Sequence, residues 1–513
     1  MKHLPRAALL GLVFATAWHA VSGAAAPVEW IGEDGAWEDA ANWSGAAVPT
    51  ASDFVTINHT GAVSSSAAGN VALELVSHAA LTVAAGQLSV TGTIDSFGSL
   101  GIAAGATGDF GRIFVQASGA LVVDGPGATV SVTEGVFSSG DWQLHDAALL
   151  EAESFDNFAT VAIDGAAVAR ANSMINHAGT LATIAAGGSE LDIAGNLTNA
   201  GEMRASAGGT LRTVSVDNGA VIAIDGGHFV TGSLDNQGSV DVRGAGATWN
   251  ASDVVTNDGD VALAAGANAT LATLDNFGQF EVDAAGATLT ELDNHAGATL
   301  GLRSTSSVAV TDLALNRGVL EVDAGAALLT DRFQQLDGTT LLAGGTLGAS
   351  SPLGVDVAGG TLGGRGVIDG ALSVGAGGIL DPGEQLVPVG RFDVLGDLSL
   401  AGLFRVDLGS AAPGGFDQLD ADGAALLGGT LQVGLVNGFV PTLGDYFDIV
   451  LAASIGGDFA DLLLPALPAG LRFSTVIGSD FYRLAVTAVP LPAPLLPVLA
   501  MLTLLARWRR RRV

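Results

Sequence analysis

Apolar and polar residues alternate in short runs through most of this chain. In Gln279–Asp283 and Ser239–Arg243 every second side chain is apolar, so an extended strand would carry one apolar face and one polar face. Strands of this length cannot bury an apolar face alone. The pattern therefore predicts many short strands that stack on one another, with helix only at the two ends.

A short motif that ends in asparagine recurs through the middle of the chain, and a glycine follows closely in most copies. The asparagines are Asn157, Asn176, Asn199, Asn218, Asn236, Asn257, Asn276, Asn294 and Asn316. Their mean spacing of about 20 residues is typical of a solenoid with one repeat per coil. Because asparagine and glycine tolerate left-handed backbone, we expect tight left-handed turns here. Stacked asparagines are expected to form amide ladders.

The predicted fold class is all-β, a right-handed parallel β-helix (β-solenoid). Roughly twenty coils of ~20 residues, spaced ~4.8 Å apart, would fill the stretch between about residues 50 and 440. The right hand follows from the general rule for parallel crossovers, and an antiparallel sandwich array is the alternative. The predicted segments are 1–26 (signal helix), 27–60 (tryptophan-rich cap), 61–440 (coils), 441–488 (C-terminal β cap) and 489–513 (tail).

The segment 1–26 has the features of a secretory signal peptide. Lys2 and Arg6 precede an apolar run over residues 7–17, and small residues follow at 22–26. An uncleaved anchor helix is the alternative, but the apolar run is short for a membrane span. We therefore expect export.

The C-terminal tail, 489–513, has three parts. A prolyl motif comes first, an apolar stretch over residues 494–506 follows, and a basic cluster ends the chain. We expect the apolar stretch to form a single transmembrane helix with the basic cluster on its cytoplasmic side. The motif is Val489, Pro490, Leu491, Pro492 and Ala493, and the basic cluster contains Arg507, Arg509, Arg510, Arg511 and Arg512.

This tail resembles the PEP-CTERM sorting signal in its Val-Pro-Leu-Pro-Ala variant, with Leu491 in place of the glutamate of the commonest form. The resemblance implies recognition by an exosortase in the inner membrane of a Gram-negative bacterium and removal of the tail near the motif. It also implies association with extracellular polysaccharide and biofilm matrix. A plain tail anchor is the alternative.

Two segments of the body are similar to parts of other exported solenoids. The segment with Trp30, Trp37 and Trp43 resembles the first segment of many secreted bacterial β-helix proteins. These tryptophans either seal the open end of the core or form a platform on which sugars stack. The glycine-rich stretch from 359 to 447 resembles the late passenger segment of autotransporter-like proteins, where it closes the solenoid.

Charge and composition exclude several classes of function. The 513 residues contain 52 acidic and 20 basic residues, a net charge of −32, and the part between the two ends reaches −39. Such a surface repels phosphate backbones, which argues against nucleic-acid binding. Charged residues make up only 14% and hydrophobic residues 49%, which does not suit a disordered chain. No cysteine is present, so disulfides and thiol chemistry are excluded.

No residue pattern in the body points to catalysis. The histidines at 59, 78, 145, 177, 228 and 295 have no metal-binding spacing, and His177 and His295 are expected to be exposed turn residues. Asn257-Asp258-Gly259-Asp260 lacks the spacing of a calcium loop. We therefore predict no catalytic, cofactor-binding or metal-binding residue.

Three functions remain open at this level. The first is a non-enzymatic structural protein, anchored transiently in the inner membrane and then held at the cell surface or in the extracellular matrix. The second is an adhesin that binds glycan, with Trp30, Trp37 and Trp43 as contacts. The third is a β-helix enzyme that cleaves polysaccharide. The expected partners of the first are an exosortase-type enzyme and extracellular polysaccharide.

Overall fold

A computed structural model describes residues 27–383 and 388–490. The predicted signal helix and the predicted transmembrane helix both lie outside these residues. The described chain contains 45 strands and one 3-10 helix, Ala40–Asn42. Within those same residues, no helix has the length and apolar character needed to cross a bilayer.

The strands follow one another closely along the chain. The first turns contain β1 (Val28–Glu29), β2 (Gly35–Ala36), β3 (Phe54–Ile57), β4 (Ala62–Ser65), β5 (Ala68–Ala72), β6 (Glu74–Ser77), β7 (Ala80–Val83) and β8 (Gln87–Ser96). The turns that follow contain β9 (Ser99–Ile102), β10 (Thr107–Val115), β11 (Ala120–Asp124), β12 (Thr129–Ser138), β13 (Asp141–His145), β14 (Leu149–Asn157), β15 (Thr160–Ile163), β16 (Val168–Asn176), β17 (Leu181–Ala185), β18 (Glu190–Asn199), β19 (Glu202–Ser206), β20 (Thr210–Asn218), β21 (Val221–Asp225), β22 (His228–Thr231), β23 (Ser233–Asn236), β24 (Ser239–Arg243) and β25 (Thr248–Asn257).

The remaining strands complete the array and its end. They are β26 (Asp260–Ala264), β27 (Asn268–Asn276), β28 (Gln279–Asp283), β29 (Gly286–Asn294), β30 (Thr299–Arg303), β31 (Ser307–Asn316), β32 (Val319–Asp323), β33 (Ala327–Gln335), β34 (Thr339–Ala349), β35 (Val355–Asp369), β36 (Leu372–Pro382), β37 (Arg391–Val394), β38 (Leu398–Leu400), β39 (Leu403–Leu408), β40 (Gln418–Leu427), β41 (Thr430–Leu435), β42 (Tyr446–Gly457), β43 (Asp461–Leu463), β44 (Leu471–Ile477) and β45 (Phe481–Ala488).

The architecture is a parallel β-solenoid of about 17 turns, which confirms the all-β prediction and its stacked coils. A typical turn contributes a long bent strand and a short strand. The long strands β10 and β12 pair over two stretches, with a register shift between Phe110 and Ile113, and the short strands β11 and β13 pair alongside. Each turn therefore has three strand segments. The right-handed coil stays a prediction.

Alternation along the strands builds one continuous core. In β28, Phe280 and Val282 are buried while the residues on either side of each are exposed, as the sequence pattern predicts. Buried apolar residues of this kind form a single cluster that extends from Trp30 to Val486. Stacking gives each short strand the apolar partner surface that it lacks alone.

The number of turns is smaller than the roughly twenty expected, because the last turns are longer. Val374 pairs with Leu400, Leu400 with Leu427, and Leu427 with Gly457. Equivalent positions of these turns are therefore farther apart along the chain than the ladder asparagines are. The short asparagine period applies to the middle of the chain and does not extend to the C-terminal turns.

The recurring asparagines form the expected amide ladder. All nine are buried in the interior, and each is the last residue of a strand. Each Nδ2 donates to the Oδ1 of the next asparagine, giving eight hydrogen bonds of 2.7–2.9 Å. From Asn176 onward each Nδ2 also donates to a backbone carbonyl of the following turn, as Asn236 does to Asp260 at 3.2 Å. The ladder therefore satisfies its own buried polar groups.

The expected left-handed backbone was wrong for the asparagines but holds for two of the glycines that follow them. The positive-φ residues of the described chain include none of the nine asparagines, and the glycines at 238, 259 and 278 also lie outside that group. Gly179 and Gly297, in contrast, have φ values of 83° and 91°. Glycine is needed at 238, 259 and 278 because the stacked turns approach closely: a Cβ on Gly238 would lie 2.0 Å from the Ala220 carbonyl oxygen. Other left-handed residues directly follow short strands, for example Ala186 after β17 and Ala265 after β26.

Parallel pairing extends into both of the predicted cap segments. Parallel pairing already begins in the tryptophan-rich segment, where β1 pairs with β3 and β2 with β4. It continues past residue 440, because β42 pairs in parallel with β40 and β43 with β41. An antiparallel hairpin, β44 and β45, then closes the stack against β42.

Candidate functional site

The folded body ends where the predicted sorting motif begins. The last strand, β45, ends at Ala488, and the N–H of Val489 donates to the Gly470 carbonyl at 2.8 Å. The Val489 side chain is 49% exposed. Val489 and Pro490 are the described part of the motif, whereas Leu491, Pro492, Ala493 and the five arginines of the basic cluster lie outside the described residues.

The three tryptophans at the N-terminal end pack on one another inside the core. Trp43 lies edge-on to both Trp30 and Trp37, with ring centroids 4.8 Å apart in each pair. Its Nε1 donates to the Trp37 carbonyl at 2.7 Å. Trp30 is 6% exposed, and Trp37 and Trp43 are fully buried. This geometry fits a seal on the end of the core and leaves no open indole face on which a sugar could stack.

A shallow groove of about 520 Å³ crosses successive turns near the C-terminal end. Its rim includes the strongly exposed Leu353 and Leu426. Its polar lining consists of Ser373, Ser399, Ser454 and Asp397. The Asp397 carboxylate already accepts a hydrogen bond from the Ala424 N–H at 2.8 Å. This arrangement offers a binding surface of mixed polarity and no nucleophile paired with a base.

One carboxyl group is fully buried in the C-terminal turns. Asp417 accepts hydrogen bonds from the backbone N–H of Gly390 and of Asp407, each at 2.7 Å. Burial raises the pKa of Asp417 to about 8, although the two N–H groups favour its charged form. These hydrogen bonds tie the loop before β37 to β39, so the group has a structural role.

Two histidines that were expected to be exposed are instead half-buried and stacked on phenylalanines. His177 stacks on Phe158 with ring centroids 3.7 Å apart, and His295 stacks on Phe277 at 3.8 Å. In each pair the two rings come from neighbouring turns and directly follow ladder asparagines. A repeat of about 20 residues explains the contact, since it places equivalent turn residues above one another.

One of these histidines belongs to a trio that could hold a metal ion. Asp275, Asp293 and His295 offer ligand atoms that all lie within 4.8 Å of one another. It is the one such group among residues 27–383 and 388–490. Sequence reasoning missed it because Asp275 lies one turn before Asp293 and His295 and meets them only through the stacking of turns. The repeated Leu-Asp-Asn motif, at 274–276 and again at 292–294, could have indicated that the two aspartates lie side by side on successive turns.

The outer surface carries ion pairs, several of which join neighbouring turns. Arg170 lies between Glu151 and Asp192, and Arg303 lies near Glu281 and Glu321. All of these side chains are at least partly exposed, so each pair contributes little to stability. Carboxylates outnumber arginines, which leaves an acidic exterior.

Comparison with known proteins identifies no related protein that would indicate a role for these residues. No family model and no curated protein matches the chain.

Proposed function

We propose that this chain is a non-enzymatic structural protein of the bacterial cell surface or extracellular matrix. It is exported through its N-terminal signal peptide and held briefly in the inner membrane by its C-terminal helix. An exosortase-type enzyme then removes the tail near Val489-Pro490-Leu491-Pro492-Ala493. The released body forms an acidic rod among extracellular polysaccharides, and the right-handed coil belongs to this proposal.

The main support for this proposal is the position of the motif directly after the folded body. A processing enzyme needs an extended segment outside the folded body, and β45 ends directly before Val489. Cleavage anywhere past Ala488 would therefore leave every strand of the solenoid intact. The tail could be removed without unfolding the body.

The construction of the body suits a passive extracellular element. The apolar core is continuous over about 17 turns, which at ~4.8 Å per turn gives a rod of roughly 80 Å. Its stability depends on packing and on the amide ladder, and no cysteine is involved, so the fold does not depend on the redox state outside the cell. The acidic exterior favours solubility and diffuse binding of cations.

The experiment is intact-mass spectrometry of the mature protein from a Gram-negative host that has an exosortase and from a derivative that lacks it. We expect the C-terminus of the wild-type protein to end near the motif, without Arg507 and the residues after it. The double variant Pro490→Ala, Pro492→Ala should keep the full tail and remain in the membrane fraction.

The chain supplies a matched control. Leu467-Pro468-Ala469 has the same order of residues as Leu491-Pro492-Ala493 but lies within the folded body, so Pro468→Ala should be processed like the wild type. The proposal fails if mature wild-type protein still contains the terminal arginines, or if processing is equal in the strain without exosortase.

A further inference from the structure

Asp275 and Asp293 occupy the same outward position on neighbouring turns. They are register partners in β27 and β29, each directly before a ladder asparagine. His295 follows the second of these asparagines and turns back over the two carboxylates. The ladder beneath thus sets the spacing of all three side chains.

The Nε2 atom of His295 is buried and has no hydrogen-bond partner, although the side chain as a whole is 26% exposed. Nε2 lies 3.6 Å from Asp293 Oδ2 and 3.9 Å from Asp275 Oδ1, which is too long for a hydrogen bond. These separations are instead close to the distance between neighbouring ligands of one zinc ion. Bonds of about 2.0–2.2 Å in a tetrahedral arrangement place ligand atoms roughly 3.4 Å apart.

We propose that Asp275, Asp293 and His295 bind a divalent transition-metal ion of the zinc type. One imidazole nitrogen and two carboxylate oxygens are ordinary zinc ligands, whereas calcium and magnesium favour oxygen ligands alone. Water or an external ligand would complete the coordination. The ion would join two successive turns on the outer face of the rod.

Two neighbours orient the ligands. The Phe277 ring stacks on His295 with an angle of 11° between the planes and restricts rotation of the imidazole. Arg317 Nη1 donates to Asp293 Oδ1 at 2.5 Å and to Oδ2 at 2.7 Å. Hydrogen bonds of this kind position a metal-binding carboxylate. Arg317 also partly neutralises Asp293, so affinity is lower than with two free carboxylates.

The turn at His177 provides a comparison within the chain. It repeats the histidine–phenylalanine stack, but Ile175 occupies the position of Asp293. His177 Nε2 lies 2.5 Å from Asp156 Oδ1, so its ring nitrogen already has a partner. Only one carboxylate faces this histidine, and we expect no tight metal binding there.

The test uses the full chain in detergent, stripped with a chelator and then titrated with ZnCl2 by isothermal calorimetry. Excess Ca²⁺ is added to saturate the surface carboxylates that bind cations without specificity. We expect one saturable zinc site in the wild type and in His177→Ala. The affinity should fall at least about tenfold in His295→Ala and in the isosteric Asp275→Asn.

Circular dichroism checks that each variant keeps the wild-type fold, and the isosteric Asp275→Asn keeps the test valid if His295→Ala disturbs the turn. Co²⁺ gives a second measurement, because coordination by His295 produces visible absorption that His177→Ala retains. The proposal is overturned if the wild type shows no saturable site in excess Ca²⁺. It is equally overturned if His177→Ala and His295→Ala lose zinc to the same degree.

Discussion

The middle turns and the C-terminal turns fill the same interior position in different ways. From Asn157 to Asn316 the position is occupied by asparagine on every turn. The register then continues through Gln335 to purely apolar residues, at Val357, Val374, Leu400 and Leu427. One backbone architecture thus accommodates a polar column and an apolar column in a single core.

The difference gives the asparagine turns a constraint that the C-terminal turns lack. An amide in the column must meet the amide of the next turn at hydrogen-bond distance, so every turn must return to the same point. Apolar packing is not directional and tolerates longer turns. The asparagine turns stay close to one length, whereas Leu427 and its partner Gly457 on the next turn lie much farther apart in the sequence. The ladder is not the source of the period, because the turns before Asn157 have a similar length without an asparagine at this position. The residues there are Ser77, Ser96, Val115 and Ser138.

An amide placed in the apolar column should have the largest effect. Leu400→Asn removes a buried leucine, at a cost of about 2–5 kcal/mol, and buries an amide without partners, at about 1–3 kcal/mol more. We expect the C-terminal turns to unfold locally. Hydrogen-exchange mass spectrometry should show lost protection in peptides from 391 to 435 and unchanged protection between 157 and 316. Wild-type protection around residue 400 would contradict the comparison.

The converse substitution tests the polar column. Asn236→Leu leaves Asn218 Nδ2 and Asn257 Oδ1 without their ladder partners, so we expect a loss of about 2–3 kcal/mol in the stability of these turns. The exposed Asn250→Leu on the neighbouring strand is the control and should change stability by less than about 0.5 kcal/mol. Hydrogen exchange of the middle turns measures both. Equal effects of the two substitutions would show that the ladder does not stabilise the stack.

The two regions should also differ in their response to pH. The ladder amides do not titrate, whereas burial raises the pKa of Asp417 from 3.8 to about 8. The folded state then binds more protons than the unfolded state between these values, so stability of the C-terminal turns falls as pH rises from about 4 to about 8. The slope stays below about 1.4 kcal/mol per pH unit, the limit for one proton.

Calorimetry of the wild type and of Asp417→Asn at pH 5 and pH 8 measures this difference. The asparagine variant should lose the decrease that Asp417 causes. If the decrease persists in the variant, another group is responsible and the buried carboxyl does not titrate in this range.

The sequence predicts the repeat and its stacking, but it does not predict the backbone conformation at the asparagine turns. The alternation at β28 and the asparagine spacing were sufficient for the stacked coils and the amide ladder. The ladder asparagines, however, were assigned a left-handed backbone, because a polar residue next to glycine is typical of a turn. Only the stacked structure shows that close approach of the backbones requires the glycine at Gly238.

The site residues show the same limit. A trio such as Asp275, Asp293 and His295 depends on which residues of two turns face each other, and a register shift of a single position would separate them. The long C-terminal turns were missed because insertions into loops leave no trace in a hydrophobic pattern. Burial of Trp37 and Trp43 likewise depends on packing at the end of the stack.

Engineered disulfides test the stacking of turns most directly, since the chain has no cysteine of its own. Thr198 and Asp217 are register partners on β18 and β20, about 4.8 Å apart, which suits a disulfide. Ser215 is offset by two positions and lies roughly 8 Å from Thr198, too far for one. Oxidation followed by mass spectrometry should therefore cross-link Thr198→Cys with Asp217→Cys and leave Thr198→Cys with Ser215→Cys reduced. Preferential cross-linking of the offset pair, or of neither, would contradict the stacked register.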